Sequence, residues 1–167
     1  QYIAAMNPTA GSFIVNPRLQ RCFASFAIGF PSIAALNTIF QTFLLGHLSK
    51  FNEEVQEIGK KLVQAAMQLH KRVAGTFRKT AANFHYEFNV RHVAGVFQGM
   101  LMGQPAQFQE PLKITQLWLH ESERVYGDRL VSVSDLKKYK DLALEQAKKF
   151  FNSMSPATLF PEPLVFC

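Results

Sequence analysis

The side chains most able to act on a charged ligand fall in three short segments. Asn7, in Met6-Asn7-Pro8, closes the apolar run of residues 1–6. An amide at the carboxyl end of a parallel strand faces the crevice where ligands bind. It can hold an attacking water or touch a phosphate oxygen without adding charge. Asn-Pro also starts ordinary turns, which explains the same residues. Arg18 and Arg21, in Asn16-Pro17-Arg18-Leu19-Gln20-Arg21, straddle a turn ahead of a second apolar run. A guanidinium presented at a sheet edge can reach a neighbouring subunit's phosphates and stabilise a group in transfer. Two solvent-facing arginines explain the spacing more simply. In Tyr86-Glu87-Phe88-Asn89-Val90-Arg91, Asn89 is a helix cap and Arg91 lies in the first turn. A cation there opposes the helix dipole. An anion held at the helix start accounts for it, and an exposed arginine of small cost is the alternative.

Two kinds of element must position these residues. Residues 1–6 (QYIAAM) and 22–30 (CFASFAIGF) are apolar without alternation, the pattern of buried strands in a doubly covered parallel sheet. The loop between them, 8–17, is rich in Pro, Gly, Ser and Thr, and residues 18–21 predict a short helical turn. From Pro31 onward the pattern is helical. Ser32 caps a helix to about His47. Asn52 caps a second to about residue 80, with Glu53 and Glu54 in its first turn. Val55, Ile58, Leu62, Ala66, Leu69, Val73 and Phe77 form its apolar stripe, opposite Lys60, Lys61, Lys71 and Arg78. Asn89 caps a third, with Val93, Val96, Phe97, Met100 and Leu101 inward and Gly103 and Pro105 as its stop. A fourth runs from about Leu112 to Leu130, with Ile114, Leu117, Trp118 and Val125 inward. Ser134 caps a fifth, with Leu136, Tyr139, Ala143, Ala147 and Phe150 inward. The fold class is therefore α/β but mostly α: the last strands of a parallel sheet followed by five helices. Two strands cannot bury such a sheet alone, so the remaining strands are expected from outside these 167 residues.

Composition bounds the partners. The net charge of +6 admits nucleic acid, an anionic membrane surface or phosphate ligands. The basic residues are dispersed, as on a solvated helix face. Cys22 and Cys167 predict neither a disulfide framework nor a zinc site. Residues 22–46 carry no charge and are long enough to span a bilayer, but Gly29, Pro31 and Ser32 interrupt them. His120, Glu121, Glu123 and Arg124 invite a metal or acid–base reading. Glu121 and Arg124 are i,i+3 neighbours that can simply pair, and one histidine with a carboxylate is too few ligands for a metal. No metal site is expected.

The stretches AAMNPTAGSF, NPRLQRCF, YEFNVRHVAGVFQG and LWLHESERVYGDRL, in this order and spacing, resemble an AAA+ module of the axonemal dynein heavy chains, most closely the third module of the ring. The tail PEPLVFC resembles the run into the fourth. The resemblance implies that residues 1–31 end the large α/β subdomain, with sensor-one strand, arginine-finger loop and last strand. Residues 32–154 would be the helical small subdomain and 155–167 a connector. It assigns Asn7 to sensor one and Arg91 to sensor two, both reading the module's own nucleotide. It assigns Arg21 to the arginine finger toward the preceding module, with Arg18 the alternative. It implies ATP or ADP with Mg2+, held mainly by residues elsewhere, since the phosphate-binding Gly-rich loop and the metal-holding acid strand are not among these residues. The segment would not hydrolyse ATP by itself, but would belong to a full-length ATPase.

The implied setting is an ATP-driven, minus-end-directed microtubule motor of the cilium or flagellum axoneme, within cytoplasm and cytoskeleton, with a coiled coil elsewhere in its chain. Implied partners are neighbouring AAA+ modules, microtubules, and light and intermediate chains through other regions, with no nucleic acid and no membrane. His92 departs from the pattern, since related dyneins often carry Asp there; an acid favours a helix start and a histidine is expected not to. The alternative function is a non-enzymatic basic helical domain that binds nucleic acid or an anionic membrane, using the +6 charge and the basic face of residues 52–80.

Overall fold

A computed structural model describes residues 1–6, 14–152, 155–159 and 161. It divides into two compact units, Gln1–Pro31 and Ser32–Cys167.

In the first unit the only helix among the described residues is α1, Pro17–Gln20. Pro17 opens it, and the Asn16 side chain accepts from the Arg18 amide at 2.9 Å. Residues 1–6 and 24–30 adopt no strand, and no strand occurs among the described residues. The expected sheet strands are thus not formed here. The reason is physical: a strand exists through ladder bonds to a neighbour, and these runs have none. Their apolar side chains, Ile3, Phe26, Ile28 and Phe30, lie in the open.

The second unit is helical: α2 Ile33–Leu48, α3 Glu53–Thr76, α4 Val90–Met100, α5 Pro111–Tyr126, α6 Val133–Phe150 and the short α7 Pro156–Leu159. A 3-10 turn, Gly127–Arg129, ends α5 and takes the place of the continuous helix expected to Leu130. The long α3 is the centre, packing on α2, α5 and α6, while α4 packs on α5. Its stripe is buried as its period requires: Val55, Leu62, Ala66, Leu69, Val73 and, at the cap, Phe77. Each such side chain contributes about 1.5–3 kcal/mol by leaving water. Trp118 is fully buried in the same core, beside Phe151. Phe40 of α2 stacks on Phe97 of α4 with centroids 4.7 Å apart. Where α2 crosses α3, a Cβ on Gly59 would meet Leu45 Cδ2 at 2.8 Å, so a larger residue there would have to displace the tip of that leucine.

The caps are mixed. Ser32 accepts from the Ala35 amide at 3.1 Å, as expected. Asn52 caps α3 by position only, its side-chain amide donating instead to the Gln109 carbonyl at 3.1 Å. The cap of α6 is Ser132 rather than Ser134. The two hydroxyls are 2.7 Å apart and bond each other. The 77–89 connector is anchored by Tyr86, whose hydroxyl donates to Asp135 Oδ2 at 3.1 Å and accepts from the Val131 amide at 3.2 Å.

Candidate functional site

The start of α4 is the site the second unit offers. Asn89 is extended, and its side-chain oxygen accepts from the Arg91 amide at 3.0 Å. This leaves Arg91 in the first turn, exposed, with no ion pair to it among the described residues. Arg91, His92, Gly95, Gln98 and Gly99 of α4, with Met102 just past its end, face Arg124 and Val125 of α5 across a shallow groove of about 450 Å³. The exposed Arg91 guanidinium and the positive end of the α4 dipole, with the half-exposed Arg124 beside them, give this groove a positive field suited to an anion.

One acid behind the groove holds Arg124 in place. Glu121 is buried, and Arg124 grips its Oε2 through Nη2 at 2.6 Å and Nε at 2.9 Å. These are short charge-assisted bonds to a single carboxylate oxygen. Gly99 lies against that carboxylate so closely that a Cβ there would overlap it. The i,i+3 pairing expected of Glu121 and Arg124 is present, and among the described residues no group of three or more His, Cys, Asp or Glu could hold a metal ion.

His92 overturns the expectation that a histidine does nothing for this helix start. Its Nδ1 lies 2.9 Å from the Asn89 amide nitrogen, completing a capping box with the Asn89 side chain. Nδ1 is also 3.2 Å from the Asn89 carbonyl, and the Arg129 guanidinium abuts Nε2. Phe88 seats the ring edge-on, with centroids 5.7 Å apart. Burial and then Arg129 hold the His92 pKa below its usual 6.5, against smaller opposing effects of the Asn89 backbone and Glu87. A second histidine, His70 of α3, is also lowered, by burial first and His92 second. Its Nδ1 is 3.2 Å from the Tyr126 hydroxyl. Burial raises the pKa of Tyr126 and of Tyr139 behind it. Sequence reasoning missed this His–Tyr cluster. The i,i+4 pitch places Tyr126 on the buried face with Trp118 and Ser122, the one signal that was available.

The remaining predicted residues are elsewhere. Arg18 and Arg21 share the α1 turn of the first unit, both exposed. Asn7 lies outside the described residues, as do residues 162–167 of the expected connector. The basic residues of α3 do not form a single-sign face. Lys60, Lys61 and Lys71 are exposed, but Glu53, Glu54 and Glu57 share the helix and Arg72 pairs with Glu145 at 2.7 Å. Arg78 falls beyond the end of α3. No described helix is long and apolar enough to cross a membrane.

The AAA+ lid domain family matches residues 62–160, which include the Asn89–Arg91 turn, the groove and its wall. The chain belongs to the AAA+ lid domain family. The whole chain is 57% identical over 171 aligned residues to the dynein alpha chain of the flagellar outer arm of Chlamydomonas reinhardtii. It is 43% identical over 169 residues to dynein axonemal heavy chain 17 of Homo sapiens and to the ciliary dynein beta chain of Tripneustes gratilla. Each alignment covers 100% of this chain and 4% of the relative, so the chain spans a small part of the length of the proteins it matches.

Proposed function

We propose that this lid reads bound nucleotide within the AAA+ ring of an axonemal dynein heavy chain, and that Arg91 is the reader. The observation that carries the proposal is the exposed Arg91 in the first turn of α4, with no ion pair to it among the described residues, in a chain similar along its whole length to axonemal dyneins. A cation opposed to the dipole of its own helix is stabilised by an anion placed at the same end. Phosphate oxygens of ATP or ADP with Mg2+ supply that charge.

In this reading the module is the third of the ring. Residues 1–31 complete its large subdomain, where 1–6 and 22–30 take up ladder bonds to strands contributed by that subdomain. Asn7 is sensor one, and Arg21, with Arg18 as the alternative, is the finger toward the preceding module. Residues 32–154 are the small subdomain and 155–167 the connector to the next module. Nucleotide state shifts the lid as a rigid body, because its helices share one packed core and differential contacts at Arg91 favour one orientation. The working assembly is an ATP-hydrolysing, minus-end-directed microtubule motor of the cilium or flagellum. It works through neighbouring modules, and through light and intermediate chains bound elsewhere.

The test is Arg91→Ala in the intact heavy chain. Because Arg91 is exposed, folding is expected to survive. Nucleotide affinity at this module is expected to fall about tenfold or more, the scale of a lost charge-assisted hydrogen bond. Unchanged affinity together with unchanged motility refutes the assignment.

A further inference from the structure

We propose that His92 is a positioning residue for Arg91: its neutral imidazole closes the first turn of α4, and protonation opens that turn. The geometry carries this without reference to any ligand. The ring touches the Asn89 backbone through Nδ1 and Arg129 through Nε2. Arg129 can only donate. With the lone pair on Nε2, the ring accepts from Arg129 and gives Nδ1–H to the Asn89 carbonyl. With the lone pair on Nδ1, it accepts the Asn89 amide and closes the capping box. Both arrangements need one unprotonated nitrogen. The imidazolium has none, and it sets a second positive charge against Arg129 and against the positive end of the α4 dipole.

The charged and titratable surroundings are these. Glu87 precedes the helix, His70 faces from α3, Arg124 lines the shared groove from α5, Arg129 comes from the 3-10 turn, and Arg91 is the neighbour on α4 itself. Glu87 is the only acid among those acting on His92, and its side chain is pulled aside by Lys79 at 3.2 Å. The balance therefore disfavours the cation. The Asn89 side chain still holds the Arg91 amide, and Nδ1–H can still donate to the Asn89 carbonyl, but the capping-box tautomer is lost and with it the acceptor of the Asn89 amide. The turn that presents Arg91 then frays from its first residue.

The purpose of this device rests on Arg91 reading nucleotide; its mechanics do not. The experiment uses the 167-residue chain and follows, by NMR, the His92 ring titration alongside hydrogen-exchange protection of the Asn89 and Arg91 amides from about pH 8 to about pH 5. Wild type is expected to lose protection about fivefold at these amides, in step with the His92 titration. His92→Asp, which restores an acceptor that stays charged in this range, is expected to keep protection flat. His92→Ala is expected to show the low value throughout. Amides indifferent to the His92 titration overturn the proposal, as does wild-type protection in His92→Ala. In the intact heavy chain, His92→Asp should remove the pH dependence of this module's nucleotide affinity. If the amides respond as expected and that affinity does not, the positioning role stands and the nucleotide-reading role of Arg91 falls.

Discussion

Gly99→Ala is the sharpest probe of how the groove is built. Alanine is the better helix former by about 0.8–1.0 kcal/mol, so propensity alone makes this substitution stabilising. Packing predicts the reverse. The new methyl group overlaps the Glu121 carboxylate and would come within 2.8 Å of its Cγ, so moving the carboxylate tip alone does not clear the clash. Nor is that tip free, because Arg124 fixes Oε2 through two nitrogens and the Glu121 side chain is only 11% exposed. Either the Glu121–Arg124 pair breaks or α4 lifts from α5. Overpacking of this kind costs about 1–3 kcal/mol. Loss of bonds to a charged group adds about 1.5–3 kcal/mol before discounting, and the half-exposed arginine reduces that to about 1 kcal/mol or less. After the propensity gain, a net loss of about 2 kcal/mol remains, which is about 4–8 °C in Tm for a chain of this size. Thermal and urea unfolding of the variant measure it. Repeating the substitution in a Glu121→Ala background completes a cycle in which Gly99→Ala should turn neutral or stabilising. A single variant at least as stable as wild type refutes the close approach of α4 to Glu121.

Leu69→Ala, at a fully buried position of α3, should cost about 2–5 kcal/mol in urea unfolding, since a packed core collapses only partly into the space left. The folded pKa values of His70 and His92 lie below 6.5, so the unfolded chain binds protons first as pH drops. Their contribution to stability should be complete above that value and be lost as pH falls through the folded values, which Tm against pH will show. Arg21→Ala should leave unfolding of this chain within about 0.5 kcal/mol of wild type. In the intact heavy chain it should disturb nucleotide turnover at the preceding module, and a defect confined to its own module contradicts the finger role.

The helices were legible because a 3.6-residue stripe is written locally. The α3 stripe from Val55 to Val73 and the caps at Ser32 and Asn89 needed only neighbouring residues to be recognised. The strands failed for the opposite reason. Residues 1–6 and 24–30 have the composition of strands, but pairing depends on a neighbour that no local pattern supplies. Ser134 is the expected cap of α6 and Ser132 the observed one, because a serine's preference for a cap does not reveal which of two nearby hydroxyls the backbone will leave outside the helix. At the site, spacing located Arg91 in a first turn and paired Glu121 with Arg124. It could not show that Gly99 makes room for that pair, which depends on two helices meeting. Nor could it show that His92 acts as an acceptor, which depends on the ring's protonation and on Arg129, thirty-seven positions later.

The Tyr86 hydroxyl gives the lid an unexpected line of communication. A connector the length of 77–89 would ordinarily wander at its own pace, and the helix it leads into would inherit that wandering. Bonded instead to Val131 and Asp135, it is tied to the place where the chain enters α6. A load on that entry would therefore act on the connector ahead of α4 through one phenol, at a distance from the groove.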